Sequence, residues 1–130
     1  MTDNFNNVQD SGVTGNGSTD DAPALNTLLN SLVSAGSTTV YFPKGIYFLK
    51  SEVFLNGNTT TAISGLRMIA DPGTIIRAAS VAQGGTWGTS GAMFRFRGST
   101  IPVTDIEIDG FIFDAQSFSN SSIVAMGIYT

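Results

Sequence analysis

Asp105, Glu107 and Asp109 are the residues best spaced to do chemistry. They occupy alternate positions in the run 103–113, VTDIEIDGFIF. On an extended strand alternate side chains share a face, with neighbours roughly 6.5 to 7 Å apart. Two carboxylates at about that separation can serve as acid and base in inverting glycoside hydrolysis. They could also hold a hard cation such as calcium through oxygen. The competing expectation is the solvated outer face of a half-buried strand, with Arg95 and Arg97 one coil earlier as counter-charges. Trp87, in the loop sequence GGTWGTSG, is a second candidate. An exposed indole can stack on a sugar ring, but it can also fold back over apolar surface or pack on a neighbouring subunit.

Much other chemistry is excluded by composition. The chain has no cysteine and no histidine. Thiolate nucleophiles, imidazole or thiolate zinc sites and Ser-His-Asp triads are therefore absent. Ser90 between glycines lacks the usual base of a nucleophile elbow. The turn Gly12–Gly17 lacks the third glycine and the acid of a dinucleotide site. No cofactor is expected, and calcium has no support beyond the spacing of the acids. The net charge is −4 and only 12% of residues are charged, about half the usual share. With no basic patch, neither nucleic acid nor a membrane surface is an expected partner. No apolar run approaches the roughly 18 residues of a spanning helix. The start, MTDNFNNVQDSG, has neither the basic nor the apolar region of a secretory signal.

These residues need elements to position them. Leu25, Leu28, Leu29 and Leu32, with Val33 beside them, recur at helical spacing. Asn26, Thr27, Asn30 and Ser31 are expected on the opposite, outward face. Gly36 stops this helix. Thr19 and Asp20 are N-cap candidates, and Asp21 adds negative charge to the first turn, so all three read as a structural cap. Residues 1–14 read as an irregular N-terminal arm with at most one short strand.

From Val40 onward short apolar segments recur between turn residues. Val40–Phe42 ends at Pro43-Lys44-Gly45. Ile46–Leu49 and Val53–Leu55 follow, then the turn Asn56-Gly57-Asn58. Leu66–Ala70 and Thr74–Ala78 flank Asp71-Pro72-Gly73. Met93–Arg97 alternates, with Phe94 and Phe96 on one side and Arg95 and Arg97 on the other. Thr104–Asp109, Phe111–Phe113 and Ile123–Ile128 complete the series. Two strands separated by a single glycine, as at Gly110, suit a solenoid corner better than a hairpin. A β-sandwich and a parallel solenoid both fit this texture.

Residues 15–47 separate the two. They run GNGSTDD, then the leucine helix with Ala24 and Leu25, then VYFPKGIY. This pair of halves resembles the N-terminal signature of the pectate-lyase-like superfamily. It is most similar to the branch with rhamnogalacturonase-like and epimerase-like domains and many phage tailspikes. The resemblance implies an all-β solenoid, a right-handed parallel β-helix entered through one short capping α-helix. The expected organisation is the arm 1–14, then 15–130 as cap and first coils of an incomplete helix. The end at Thr130 would leave rungs that need more chain or other subunits. The resemblance also implies a carbohydrate-linked scaffold, often a homotrimer, with catalytic carboxylates on later coils or between subunits. The expected protein is the N-terminal portion of a phage tailspike or tail fibre, located in the virion tail. It would bind a host surface polysaccharide, degrade it where the parent carries a catalytic coil, and have other virion tail proteins among its expected partners. An extracellular bacterial lyase, hydrolase or epimerase and a purely structural adsorption module are the alternatives. This segment alone is expected to be inactive.

Overall fold

The computed structural model describes residues 5–33, 38–56, 65–87, 92–97, 103–116 and 124–129. The strands are β1 (Phe5–Asn7), β2 (Asn16–Asp20), β3 (Thr38–Phe42), β4 (Ile46–Leu49), β5 (Val53–Asn56), β6 (Leu66–Ala78), β7 (Ala92–Arg97), β8 (Glu107–Asp114) and β9 (Val124–Tyr129). One α-helix, α1 (Ala22–Val33), and two 3-10 turns, Val8–Ser11 and Val81–Gln83, accompany them. The fold is mostly parallel β-sheet with one helix. Gly36, Gly57, Asn58 and Ser90 lie outside the described residues.

Among the described residues, every strand pairing is parallel. One sheet runs β1-β3-β6-β4-β2 with β8 also on β6; the other runs β5-β7-β9. The branching has a simple cause. β6 is long and bends at Asp71-Pro72-Gly73. Its first half pairs with β3 and its second half with β4. β8 follows it on both sides of the bend, with the register shifting between Ile69 and Thr74. Successive passes of the chain therefore lie one above the next, in order β3-β4-β5, β6-β7 and β8-β9. The expected break into two strands at Asp71-Pro72-Gly73 is a corner within one strand. The corners are latched from pass to pass: Tyr41 Oη donates to Asp71 Oδ2 at 2.6 Å, and Lys44 N to the same oxygen at 3.3 Å. That hydrogen bond to the carboxylate is the main reason the Tyr41 phenol titrates above its ordinary range.

Alternation decides what is buried. In β3 the residues Thr38, Val40 and Phe42 point in, and in β6 so do Leu66, Met68, Ala70, Thr74, Ile76 and Ala78. Register then stacks like on like: Val40 under Met68 under Ile108, Tyr47 under Ile76 under Phe113, and Val53 under Phe94. Each fully buried side chain of this size contributes about 1.5–3 kcal/mol. Phe42 meets Tyr47 and Phe111 edge-on, at centroid distances of 5.2 and 4.9 Å. The outer positions carry charges, also paired between passes. Arg67 bonds Glu107 at 2.7 Å and Arg77 bonds Asp114 at 2.9 Å, each pair being direct register partners. The backbone N–H of Gln116, then Arg77, hold the Asp114 carboxyl below its ordinary range.

The lower end differs from expectation in two places. Residues 5–14 are tied to the body: β1 pairs with β3, and Val8 and Val13 are buried in the core. Two scattered apolar points sufficed because both join the main core cluster. The helix α1 buries Ala22, Leu25 and Leu29, as its leucine spacing predicts. Asn26 and Asn30, however, face β5. Asn26 Oδ1 accepts from Phe54 N at 2.8 Å, and Asn30 Nδ2 donates to the Phe54 carbonyl at 2.9 Å. Those backbone groups sit at a sheet edge, so amides there are worth more than amides in water.

Tyr47 is fully buried, its hydroxyl donating to the Pro43 carbonyl at 2.6 Å and accepting from Gln9 Nε2 at 3.4 Å. Burial pushes its phenol up to about 12. Below its ordinary value of about 10 the phenol is neutral whether folded or unfolded, and the whole contribution is present. As pH rises from there towards about 12, the unfolded chain ionises first and the folded state loses stability. Thermal melts across that window should show a falling midpoint, and Tyr47→Phe should reduce the slope.

Candidate functional site

The three acids of 105–109 do not form one strand face. β8 begins at Glu107, and Asp105 precedes it with a left-handed φ of 55°. Glu107 and Asp109 share the outer side of β8, and all three acids are exposed. The counter-charge of Glu107 is Arg67, its register partner, and not Arg95 or Arg97. Alternation predicted the outward side correctly; it could not predict which strand lies alongside. Among the described residues no three acidic side chains converge into a set that could hold a metal ion.

Trp87 is half-buried and packs against the core. Its Nε1 donates to the Ala79 carbonyl at 2.8 Å. The loop closes so tightly that a Cβ at Gly85 would lie 2.2 Å from that same carbonyl oxygen. The ring therefore folds back, with only part of its surface left to solvent.

The cap residues divide their roles. Asp20 Oδ1 accepts from Ala22 N at 3.1 Å and from Lys50 N at 3.0 Å, so it caps α1 and ties it to the pass above. Asp21 is buried and turns the other way. Its Oδ1 accepts from Thr14 N at 2.8 Å and Thr14 Oγ1 at 3.0 Å, and its Oδ2 from Gly15 N at 3.0 Å. Thr19 does not cap the helix: it lies in the bulged strand β2, bound to the Asn16 side chain at 2.8 and 2.9 Å.

A further grouping, missed in the sequence, lies on the outer side of β5-β7-β9. Arg95 is the register partner of Phe54 below and of Gly127 above. Its guanidinium carbon sits 3.8 Å from the Phe54 ring centroid, a cation–π contact, and one terminal nitrogen bonds Glu52 at 2.9 Å. Its Nε is buried and has no hydrogen-bond partner among the described residues. Arg97, next outward on β7, is exposed. With one nitrogen on Glu52, Nε buried and one face on the ring, Arg95 is mostly covered, and the exposed Arg97 is the donor this face presents. Sugar hydroxyls and carboxylates suit such a donor. Alternation of Phe94 and Phe96 against Arg95 and Arg97 already placed both arginines outside. Only register supplies Phe54 and Gly127. Elsewhere, Ser11, Ala24, Thr27, Leu28 and Ser31 line a shallow hollow of about 360 Å³ on the outer side of α1.

Comparison with known proteins agrees with this architecture. A family model described as rhamnogalacturonase A/epimerase, pectate lyase-like, matches residues 5–128. The chain belongs to this family. A search of curated proteins finds no match to this pectate lyase-like chain. Among solved structures it is similar to ORF18 of Geobacillus virus E2, with 25% identity and a TM-score of 0.67. The likeness covers 86% of this chain and 21% of the viral protein. The pectate lyase-like chain thus spans about a fifth of the length of that relative.

Proposed function

We propose that this chain forms the N-terminal end of a right-handed parallel β-helix in a phage tailspike or tail fibre. The assembly would be a homotrimer in the virion tail that binds host surface polysaccharide. The observation that carries this reading is the in-register parallel stacking of successive passes, begun at one end by α1. The likeness to a phage protein about four times as long supports it. In this reading residues 5–128 are the base of the column, the outer face around Phe54, Arg95 and Arg97 is the polysaccharide contact surface, and the solvent-facing part of Trp87 is a separate sugar contact. Cleavage, where it occurs, belongs to later coils or to clefts between subunits. The family description, rhamnogalacturonase A/epimerase, favours a second reading, a bacterial enzyme of polysaccharides.

Two measurements test the first reading. The full-length parent incubated with host capsule should shorten it, while the 130-residue chain releases nothing. Release of oligosaccharides by this chain alone would contradict the assignment of chemistry to later coils. Titration of the chain with capsule oligosaccharides should give an affinity roughly fivefold weaker for Arg97→Ala, about 1 kcal/mol. An unchanged affinity would move the contact surface elsewhere.

A further inference from the structure

Two successive passes turn the same corner, one at Lys50 and the next at Ala79–Thr86. The main chain of Lys50 is fixed from both sides. Its N–H donates to Asp20 Oδ1 at 3.0 Å, and its carbonyl accepts from Thr86 N at 2.7 Å. Its side chain runs along Gly84, where a Cβ would lie 3.7 Å from the ammonium nitrogen and 3.8 Å from Cδ. Among the described residues Arg67, Arg77 and Arg95 each pair with an acid, and Lys50 pairs with none. In a chain with ten acids and six bases, an ammonium without a carboxylate partner is a charge left available.

Trp87 stands at the neighbouring glycine. A Cβ at Gly85 would lie 2.7 Å from Trp87 Nε1, so the edge of the indole rests against bare backbone. Trp87 is half-buried, and part of its ring still faces solvent. Gly84 and Gly85 thus form a strip with no side chain of its own, bordered by the Lys50 ammonium and the Trp87 indole. The strip is held in shape by the protein. The turn Val81–Gln83 that precedes it is closed by reciprocal bonds between Ser80 and Gln83, at 3.0 and 3.3 Å. From the next pass Gln116 Nε2 donates to Gln83 Oε1 at 2.7 Å and to the Ala78 carbonyl at 2.8 Å. Gln116 does so from a left-handed φ of 56°, a conformation unfavourable for a residue with a side chain. Three passes therefore cooperate to keep two glycines in place between a cation and an aromatic ring.

The chemistry of such a strip is specific. An indole face takes the apolar face of a sugar ring. An ammonium is a compact point charge and favours a carboxylate over a hydroxyl. Glycines between the two let a ligand approach the backbone closely. We propose that Lys50, Gly84, Gly85 and Trp87 form a subsite for one sugar residue that carries a carboxylate, its ring on the indole and its carboxylate on the ammonium. This rests on the reading of Trp87 as a sugar contact, and adds the charge of the sugar and the residue that reads it. The subsite is separate from the face that presents Arg97.

Trp87 is the only tryptophan of the chain, so its indole N–H gives a single resonance that reports on the strip. Methyl glucuronide and methyl glucoside differ only at C6, carboxylate against hydroxymethyl. Titrated into the chain, the glucuronide should shift that resonance to saturation, with an affinity at least fivefold above that of the glucoside. Lys50→Met keeps the stem of the side chain, removes the charge and should bring the two affinities together. Gly84→Asp puts a carboxylate beside the same ammonium, at a backbone angle that aspartate tolerates better than most residues, and should also abolish the preference. An indole that does not respond to the glucuronide, equal affinities for the two glycosides, or a preference that survives Lys50→Met would each overturn the inference. Capsule oligosaccharides titrated alongside separate it from the reading beneath it. If they bind the chain while the subsite fails, the polysaccharide reading stands, and if they do not bind, both fall.

Discussion

Asp21→Ala should cost about 3 kcal/mol of folding stability and lower the melting midpoint by on the order of 10 °C. Asp21 is 1% exposed. Its carboxylate accepts from two backbone N–H groups and one hydroxyl, all from Thr14 and Gly15. Its own N–H donates to the Phe48 carbonyl at 2.8 Å, and its carbonyl accepts from Leu25 N at 3.0 Å. One residue thus joins the glycine turn, β4 and the start of α1. Alanine keeps the backbone bonds and strands the donors of Thr14 and Gly15. Hydrogen bonds to a charged acceptor are worth roughly 1.5–3 kcal/mol each, and the exposure of Thr14 keeps the sum near the lower figure. Asp21→Asn should recover little, because its Nδ2 would face an N–H donor. Asp20→Ala should be milder, about 1 kcal/mol, as a lost cap at a half-exposed position. Urea melts of the three variants give the order directly. Equal losses for Asp20→Ala and Asp21→Ala would contradict the division of roles.

Gly110→Ala should be at least as damaging, about 3 kcal/mol or more, through two separate effects. The residue has φ 89°, where a side chain costs roughly 1–2 kcal/mol. The added Cβ would also stand 2.1 Å from the Ala70 carbonyl oxygen. That oxygen is backbone, held where the corners of β6 and β8 stack, so it cannot swing aside as a flexible side chain would. Relief requires lifting β8 from β6 and exposing the rung of Ile108, Phe111 and Phe113. Gly12→Ala separates the effects. Its φ is 85°, but a Cβ there meets nothing within 4 Å. It should show the conformational cost alone, about 1 kcal/mol. Comparable losses at both positions would mean that the corner of β8 is not the close approach described.

Much of the local structure was legible before any fold was known. Leucine spacing identified α1. Short apolar runs between Pro, Gly, Asn and Asp gave the strands from Val40 to Phe113 close to their observed limits. The single glycine at 110 marked a corner, and alternation set Arg95 and Arg97 outside and Phe94 and Phe96 inside. The failures share a cause. Asn26 and Asn30 were assigned to water because they are polar, yet an unpaired strand edge is as polar as water and sits closer. Glu107 was given the wrong arginine, since the length of the loops between passes decides which strand lies beside β8. Residues 1–14 read as an irregular arm with at most one short strand, and what ties 5–14 down, β1 on β3 with Val8 and Val13 buried, is a matter of tertiary contact.

By itself, then, the sequence determined periodicity, corners and the inward or outward sense of each side chain. These depend on residues a few positions apart and on backbone geometry shared by all chains. The tertiary structure alone decided which residues became neighbours: Arg67 with Glu107, Phe54 with Arg95, Asp21 with Thr14, and Asn26 with the edge of β5. Each is a contact across a parallel ladder or a cap, where a one-residue change of register would bring up a different partner. Register is set by the packing of whole passes, so no local pattern could announce it.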